Sequence, residues 1–187
     1  MSRNKRKRIA WLGLGFLILV SGCDEDGSTP TTGEVTITSE LILEGDTYTF
    51  NGFSFELGKV VYCNPQFCKN PPDLIVIPDN SGEEIIAYLE ILNNVQEKPL
   101  MALAGAFADW NSAVNFFDNY IQIADSLSYT YWAKPALKHQ VWIVKTLSGK
   151  YGKIVIKEVI TYLNGTNPYA EITFKWAYQP NGSTLFD

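Results

Sequence analysis

Histidine, methionine and cysteine are scarce in this chain of 187 residues, which has one His, two Met and three Cys. A single imidazole excludes any metal centre built on two or more histidines, and no metal site is expected. Three cysteines are too few for a disulfide-framed scaffold. No Cys-x-x-Cys-His run occurs, which excludes covalent c-type haem attachment. Basic residues are in the minority, 15 Lys and Arg against 20 Asp and Glu for a formal charge of −5. The chain therefore lacks the basic face of a general nucleic-acid binder. No Gly-x-Ser-x-Gly elbow and no glycine-rich phosphate loop is present, and Glu83-Glu84 is a local acidic pair rather than a spaced catalytic dyad. With no reaction constellation visible, an enzyme is not expected. The apolar run from Ile9 to Val20 falls well short of the ~20 residues a spanning helix needs. Against these absences, a hydrophobic content of 46% and an aromatic content of 13% suffice for a packed core in one domain.

The few basic residues are unevenly placed. Arg3, Lys5, Arg6, Lys7 and Arg8 stand before the apolar run, and the small residues Ser21 and Gly22 follow it. A basic segment, a short apolar segment and a small-residue cleavage site are the plan of a secretory signal over residues 1–22. Leu19-Val20-Ser21-Gly22-Cys23 resembles the bacterial lipobox. That resemblance implies cleavage before Cys23, whose sulfur and new amino group are then acylated. Small side chains let the peptidase reach the bond, and the thiol accepts the lipid. The alternative is an uncleaved anchor with an incidental Cys23. In either case the rest of the chain is expected to be exported and membrane-tethered; with Cys23 acylated it is lipid-anchored in the cell envelope, the outer membrane being the expected membrane and its periplasmic or outer surface both open. Each buried methylene of the lipid adds about 0.8 kcal/mol to such a tether. Residues 24–34, DEDGSTPTTGE, hold no apolar side chain larger than Pro and are expected to be a flexible acidic tether. Their acidic start also resembles the surface-export signals of some bacterial lipoproteins. The globular part is expected over residues 35–187. Without the five basic residues of the leader, ten remain against 20 acids, a side-chain balance of −10.

The globular part reads as β at both ends with a mixed middle. Val35 begins an alternating run to Leu43, and Asn51-Gly52 between Tyr48–Phe50 and Phe53–Leu57 predicts a hairpin turn. Lys59–Tyr62 and Asp73–Ile77 read as strands, and Glu83–Leu92 fits helix or strand. Leu100 to Trp110 is Ala-rich and helix-compatible, and Ala113, Phe116, Phe117, Tyr120, Ile121 and Ala124 form one helical face with Ser112 as the N-cap. Val141–Val144, Tyr151–Leu163 and Ala170–Tyr178 read as three consecutive strands joined at Ser148-Gly149-Lys150 and at Asn164-Gly165. In the second, Ile154, Ile156, Ile160 and Tyr162 share a face; in the third, apolar and polar residues alternate. The fold class expected is mainly β, antiparallel, with a minor helical insertion at Leu100–Ala124.

Phe53-Ser54-Phe55-Glu56-Leu57-Gly58-Lys59-Val60-Val61, Asp73-Leu74-Ile75-Val76, Val141-Trp142-Ile143-Val144-Lys145-Thr146, Gly149-Lys150-Tyr151-Gly152-Lys153-Ile154-Val155-Ile156 and Ile172-Thr173-Phe174-Lys175-Trp176-Ala177-Tyr178 occur in this order. Together they resemble the HmuY-like lipoproteins, a family of exported, mostly β, haem-binding bacterial proteins. Pro72 stands where the family pattern has Trp. The resemblance implies haem as the cofactor, with a haem-carrier protein as a partner, and two axial side chains on the iron. With one His, and Met101 the only Met beyond the initiator, it points to His139 and Met101 as the ligands and to Tyr131 and Trp132 as pocket aromatics. Taken as residues alone, His139 also reads as an edge histidine or a general base, and Met101 as core filler. The other reading of the chain is a non-haem surface module that binds glycan or a protein through exposed aromatics, or a structural envelope lipoprotein. Cys63 and Cys68, two thiols in an oxidising compartment, predict a disulfide around a small loop; half of a zinc site is the alternative.

Overall fold

The computed structural model describes residues 31–93 and 98–186. The signal, Cys23 and the tether up to residue 30 lie outside the described residues. The elements in chain order are β1 (Thr32–Thr38), β2 (Leu41–Glu44), β3 (Thr47–Ser54), β4 (Lys59–Cys63), β5 (Leu74–Asp79), β6 (Ile86–Ile91), β7 (Met101–Ala106), α1 (Trp110–Asn119), β8 (Tyr129–Thr130), β9 (Trp132–Ala133), β10 (Gln140–Lys145), β11 (Tyr151–Asn164) and β12 (Asn167–Gln179).

Two antiparallel sheets face each other. The first runs β1-β12-β11-β10-β7-β8, and the second β2-β3-β5-β6-β9 with β4 also on β3. Alternation along the strands assigns their faces. Trp142, Val144, Ile154, Ile156, Ile172, Phe174 and Trp176 of the first sheet pack with Phe53, Leu74, Val76, Ala87, Leu89 and Ile91 of the second. The centre is aromatic: Phe53 lies 5.0 Å from Phe55, 5.5 Å from Phe174 and 4.9 Å from Trp176, ring centre to ring centre. Each such side chain, fully buried, contributes on the order of 2–3 kcal/mol. The outer face of the first sheet carries Ala102, Val141, Ile143, Val155 and Ala177, which pack with Ala113 and Phe117 of α1. The molecule is thus three layers: helix, first sheet, second sheet. The chain changes sheets four times: at Ser39-Glu40, between β6 and β7, at Tyr131 between β8 and β9, and between β9 and β10.

The mainly β, antiparallel class holds, and several local expectations are corrected. Asn51-Gly52 is not a turn but the middle of β3. The Asn51 side chain is spent on β1, accepting from the Thr38 amide (2.9 Å) and donating to the Thr38 hydroxyl (2.7 Å). The actual turn glycines of this region are Gly45 and Gly58, with φ of 61° and 59°. The helical insertion is shorter than expected. Met101–Ala106 is a strand because β10 and β8 claim its backbone groups, and α1 is capped by Asp109, whose carboxylate accepts from the Ser112 amide at 2.9 Å. The expected tether ends early as well: Thr32, Gly33 and Glu34 pair with Ala177, Trp176 and Lys175. In β11 a bulge between Ile156 and Glu158 shifts the register. It turns Val159 towards the inter-sheet core and leaves Ile160 and Tyr162 exposed, against the predicted shared face. Cys63 and Cys68 form the expected disulfide, with Cα atoms 5.1 Å apart.

Candidate ligand-binding face

The residues predicted to hold haem together lie in three different layers. Met101 is wholly buried in the inter-sheet core. It also pairs with Val144, whereas His139 immediately precedes β10 at the other end of the same ladder. The five residue-to-residue steps from His139 to Val144 span roughly 16 Å at about 3.3 Å per step. His139 is half-buried on the helix side, its ring centre 6.5 Å from that of Trp110. Its backbone is held on both sides, by Ile156 O at 2.7 Å and the Phe107 amide at 3.2 Å, and its φ is 67°. Trp132 lies on the second sheet. The expected His139–Met101 axial pair is therefore not assembled. The strand register, and the opposite faces that the two side chains take, keep them apart, and each is pinned by packing or hydrogen bonds. The residues present do not fit a two-ligand haem site, and Met101 acts as core filler.

Tyr131 and Trp132 are brought together on an exposed face. Strand β9 adds to the edge of β6, with Leu89 opposite Ala133 and Glu90 opposite Trp132. Ala133 and Leu89 point into the core; Trp132 and Glu90 therefore point out, with Tyr88 on the same face of β6. The Trp132 ring lies 5.7 Å from Tyr131 and 6.4 Å from Tyr88, an edge-on contact in the second case. Tyr131 and Trp132 remain 44% and 47% exposed, which leaves the cluster open to solvent. Charged groups rim it. The Lys134 ammonium stands 4.9 Å from the Tyr88 ring centre and 2.6 Å from an Asp79 carboxylate oxygen. That bond holds the Asp79 carboxyl well below the ordinary range and raises the Lys134 ammonium. Burial raises the Glu90 carboxyl; burial first, and then the neighbouring Glu90 charge, raise the Tyr88 phenol. The face offers flat apolar rings beside one carboxylate and one ion pair, which suits orientation of a polyhydroxylated ligand rather than chemistry on it.

Tyr88, Glu90 and Asp79 were not among the residues the sequence singled out. The signal was the period-2 pattern of Ile86–Ile91, which puts Tyr88 and Glu90 on one face only if the segment is a strand; a helical reading separates them. Lys134 is tied to this face by its ion pair with Asp79. Among the described residues no group of three or more His, Cys, Asp or Glu is arranged to hold a metal ion.

No family model matches the chain, and neither a curated protein nor a solved structure matches it.

Proposed function

We propose that this chain is a non-enzymatic binding module of the bacterial envelope, tethered through a lipidated Cys23, that captures glycan on the Tyr88–Tyr131–Trp132 face. One observation carries the reading: the Trp132 ring sits between those of Tyr88 and Tyr131 at a sheet edge, open to solvent, with Glu90 and the Lys134–Asp79 pair at the rim. A sugar's C–H face stacks on such rings while its hydroxyls bond the rim groups, and rigid rings in a strand pair lose little entropy on binding. The lipobox-like Leu19–Cys23 and the leader before it support the location. The test is a glycan array probed with the soluble chain lacking its leader. Retention of a glycan class, abolished in Trp132→Ala and weakened in Tyr88→Ala, is the expected result; no retention, or retention indifferent to both variants, sinks it.

Haem capture by an HmuY-like protein is the second reading, supported by the ordered motifs and by one feature of the structure. His139 is the lone imidazole, half-buried beside Trp110. Lys157 stands 6.0 Å from the same indole ring, though it pairs with Glu34 at 2.7 Å, and Lys138 pairs with Glu158 at 3.4 Å. Haem there would take His139 alone from this chain, with lysines for its propionates. Hemin titration of the soluble chain decides it: a Soret shift lost in His139→Ala supports this reading, and no shift, or one unchanged in that variant, removes it.

A further inference from the structure

A cleft beside the aromatic face opens where the second sheet splits. Leu41 and Cys63 both pair with Phe50, and Val60 and Leu74 both pair with Phe53. A residue has one partner on each edge, so β4 occupies one edge of β3 while β2 and β5 share the other. Strand β2 stops at Phe50 and β5 begins at Phe53. Between them that edge is open beside Asn51, which pairs with Tyr62 of β4 on the other edge and whose side chain bonds Thr38.

The opening is a cleft of about 520 Å³ walled by Leu41, Tyr48 and Phe50 on one side and by Ile75, Ile77 and Pro78 on the other. That volume lies within the range of small-molecule sites, roughly 300–1,000 Å³. Every residue lining it is uncharged, the remainder being Thr38, Ser39, Asn51, Val76, Leu92, Asn167 and Pro168. On β5, Leu74 and Val76 already fill the core, so Ile75 and Ile77 are extra apolar residues on a face where alternation calls for polar ones. Leu41 and Tyr48 are likewise 55% and 43% exposed at the mouth. Of the polar groups within reach, Asn51 and Thr38 bond each other, and the Ser39 hydroxyl accepts from the Ala170 amide at 2.9 Å.

We infer that this cleft binds an uncharged, compact apolar molecule. A charged ligand would lose its hydration there without gaining an ion partner, because no lysine or acid lines the walls. An anionic one would meet, in addition, the acidic balance of the whole chain. Neutral apolar ligands meet neither penalty, and the two walls offer them aromatic and branched aliphatic contact on both sides.

The probe is N-phenyl-1-naphthylamine, a neutral dye that brightens in apolar sites, compared with an anionic naphthalenesulfonate dye of similar size. The expected result is saturable brightening of the neutral dye, insensitive to salt, with the anionic dye bound more weakly. Leu41→Glu, at an exposed edge position that leaves the core intact, should weaken the neutral dye about tenfold or more by placing a charge at the mouth. Ile75→Trp should do so by filling the cleft, and circular dichroism shows whether each variant is folded. Leu137→Glu removes an equally exposed leucine elsewhere, 53% accessible, and should leave binding unchanged. Absence of saturable brightening overturns the inference. So does equal loss in Leu137→Glu, which would mark non-specific adsorption, or loss in Trp132→Ala with none in the cleft variants, which would place the dye on the aromatic face.

Discussion

Asp73 shows how much a single carboxylate is asked to do in this fold. It begins the approach to β5 and accepts a hydrogen bond from the Phe55 amide at 2.8 Å, tying the end of β3 to the start of β5. Burial, the largest influence, pushes its carboxyl above the ordinary 3.8, and the nearby Glu56 adds to this; the Phe55 amide, Ser54 and Lys150 pull the other way. A native value above the unfolded one means the folded state holds the proton longer. The stability Asp73 contributes is then full below the unfolded value and is lost as pH rises through the native one. Asp73→Asn should therefore flatten the fall in stability as pH rises through the interval just above 3.8. Urea midpoints of the two proteins over that interval check this, and parallel curves would count against it. Lys153 is the complementary case. Its ammonium is buried and donates to the Phe117 and Tyr120 carbonyls at 2.6 and 2.9 Å, closing the C-terminal end of α1, and burial lowers its pKa. Nothing local signals that a helix end more than 30 residues earlier will need its donors.

At the scale of elements, β3 is where sequence pattern and structure part most clearly. An Asn-Gly pair between aromatic runs is a turn signal because both residues tolerate positive φ. Here the glycine is needed for its missing side chain instead. A Cβ on Gly52 would stand 2.5 Å from the Leu74 carbonyl oxygen and 2.7 Å from Pro72 Cβ. Gly52→Ala should cost about 2 kcal/mol, since the neighbour is backbone and a proline ring that cannot rotate away. Chemical denaturation checks it, and a loss under about 0.5 kcal/mol, the usual surface value, would show that the β3–β5 contact yields freely. Strand β7 makes the same point differently. Its Ala-rich sequence has good helical propensity, yet pairing on both edges outweighs a preference worth only tenths of a kcal/mol per residue. The last hairpin was legible almost residue by residue. Its turns lie at Gly149 and Gly165, with φ of 80° and 65°, and its alternation is long enough to leave no competing period. Only the bulge before Glu158 was hidden, because one extra residue changes no residue type.

For the whole molecule the layering decides what can act together. Met101 sits between the sheets, His139 against the helix layer, and Trp132 on the far face of the second sheet. Met101→Ala should then lower stability by about 3 kcal/mol as a core truncation, while His139→Ala changes it little. The double variant should be additive within about 0.5 kcal/mol, the behaviour of independent sites. A larger coupling energy in the cycle would show that the two side chains communicate after all. The same layering keeps the proposed apolar cleft and the aromatic face on one sheet. Ile77 of the cleft wall lies directly across the ladder from Tyr88, and neither site involves the helix side.

Two things were readable from the chain alone: a class of mainly antiparallel strands and the Cys63–Cys68 pairing. These depend on local composition, period and spacing, which survive without knowledge of distant contacts. Only the tertiary structure decided that His139 and Met101 do not meet, that Tyr88, Glu90 and the Lys134–Asp79 pair frame the aromatic rings, and that a cleft opens between β2 and β5. Each of those depends on register between strands far apart in sequence. A shift of one residue in register exchanges the faces of a strand, and the chain's own periodicity is the same in either register.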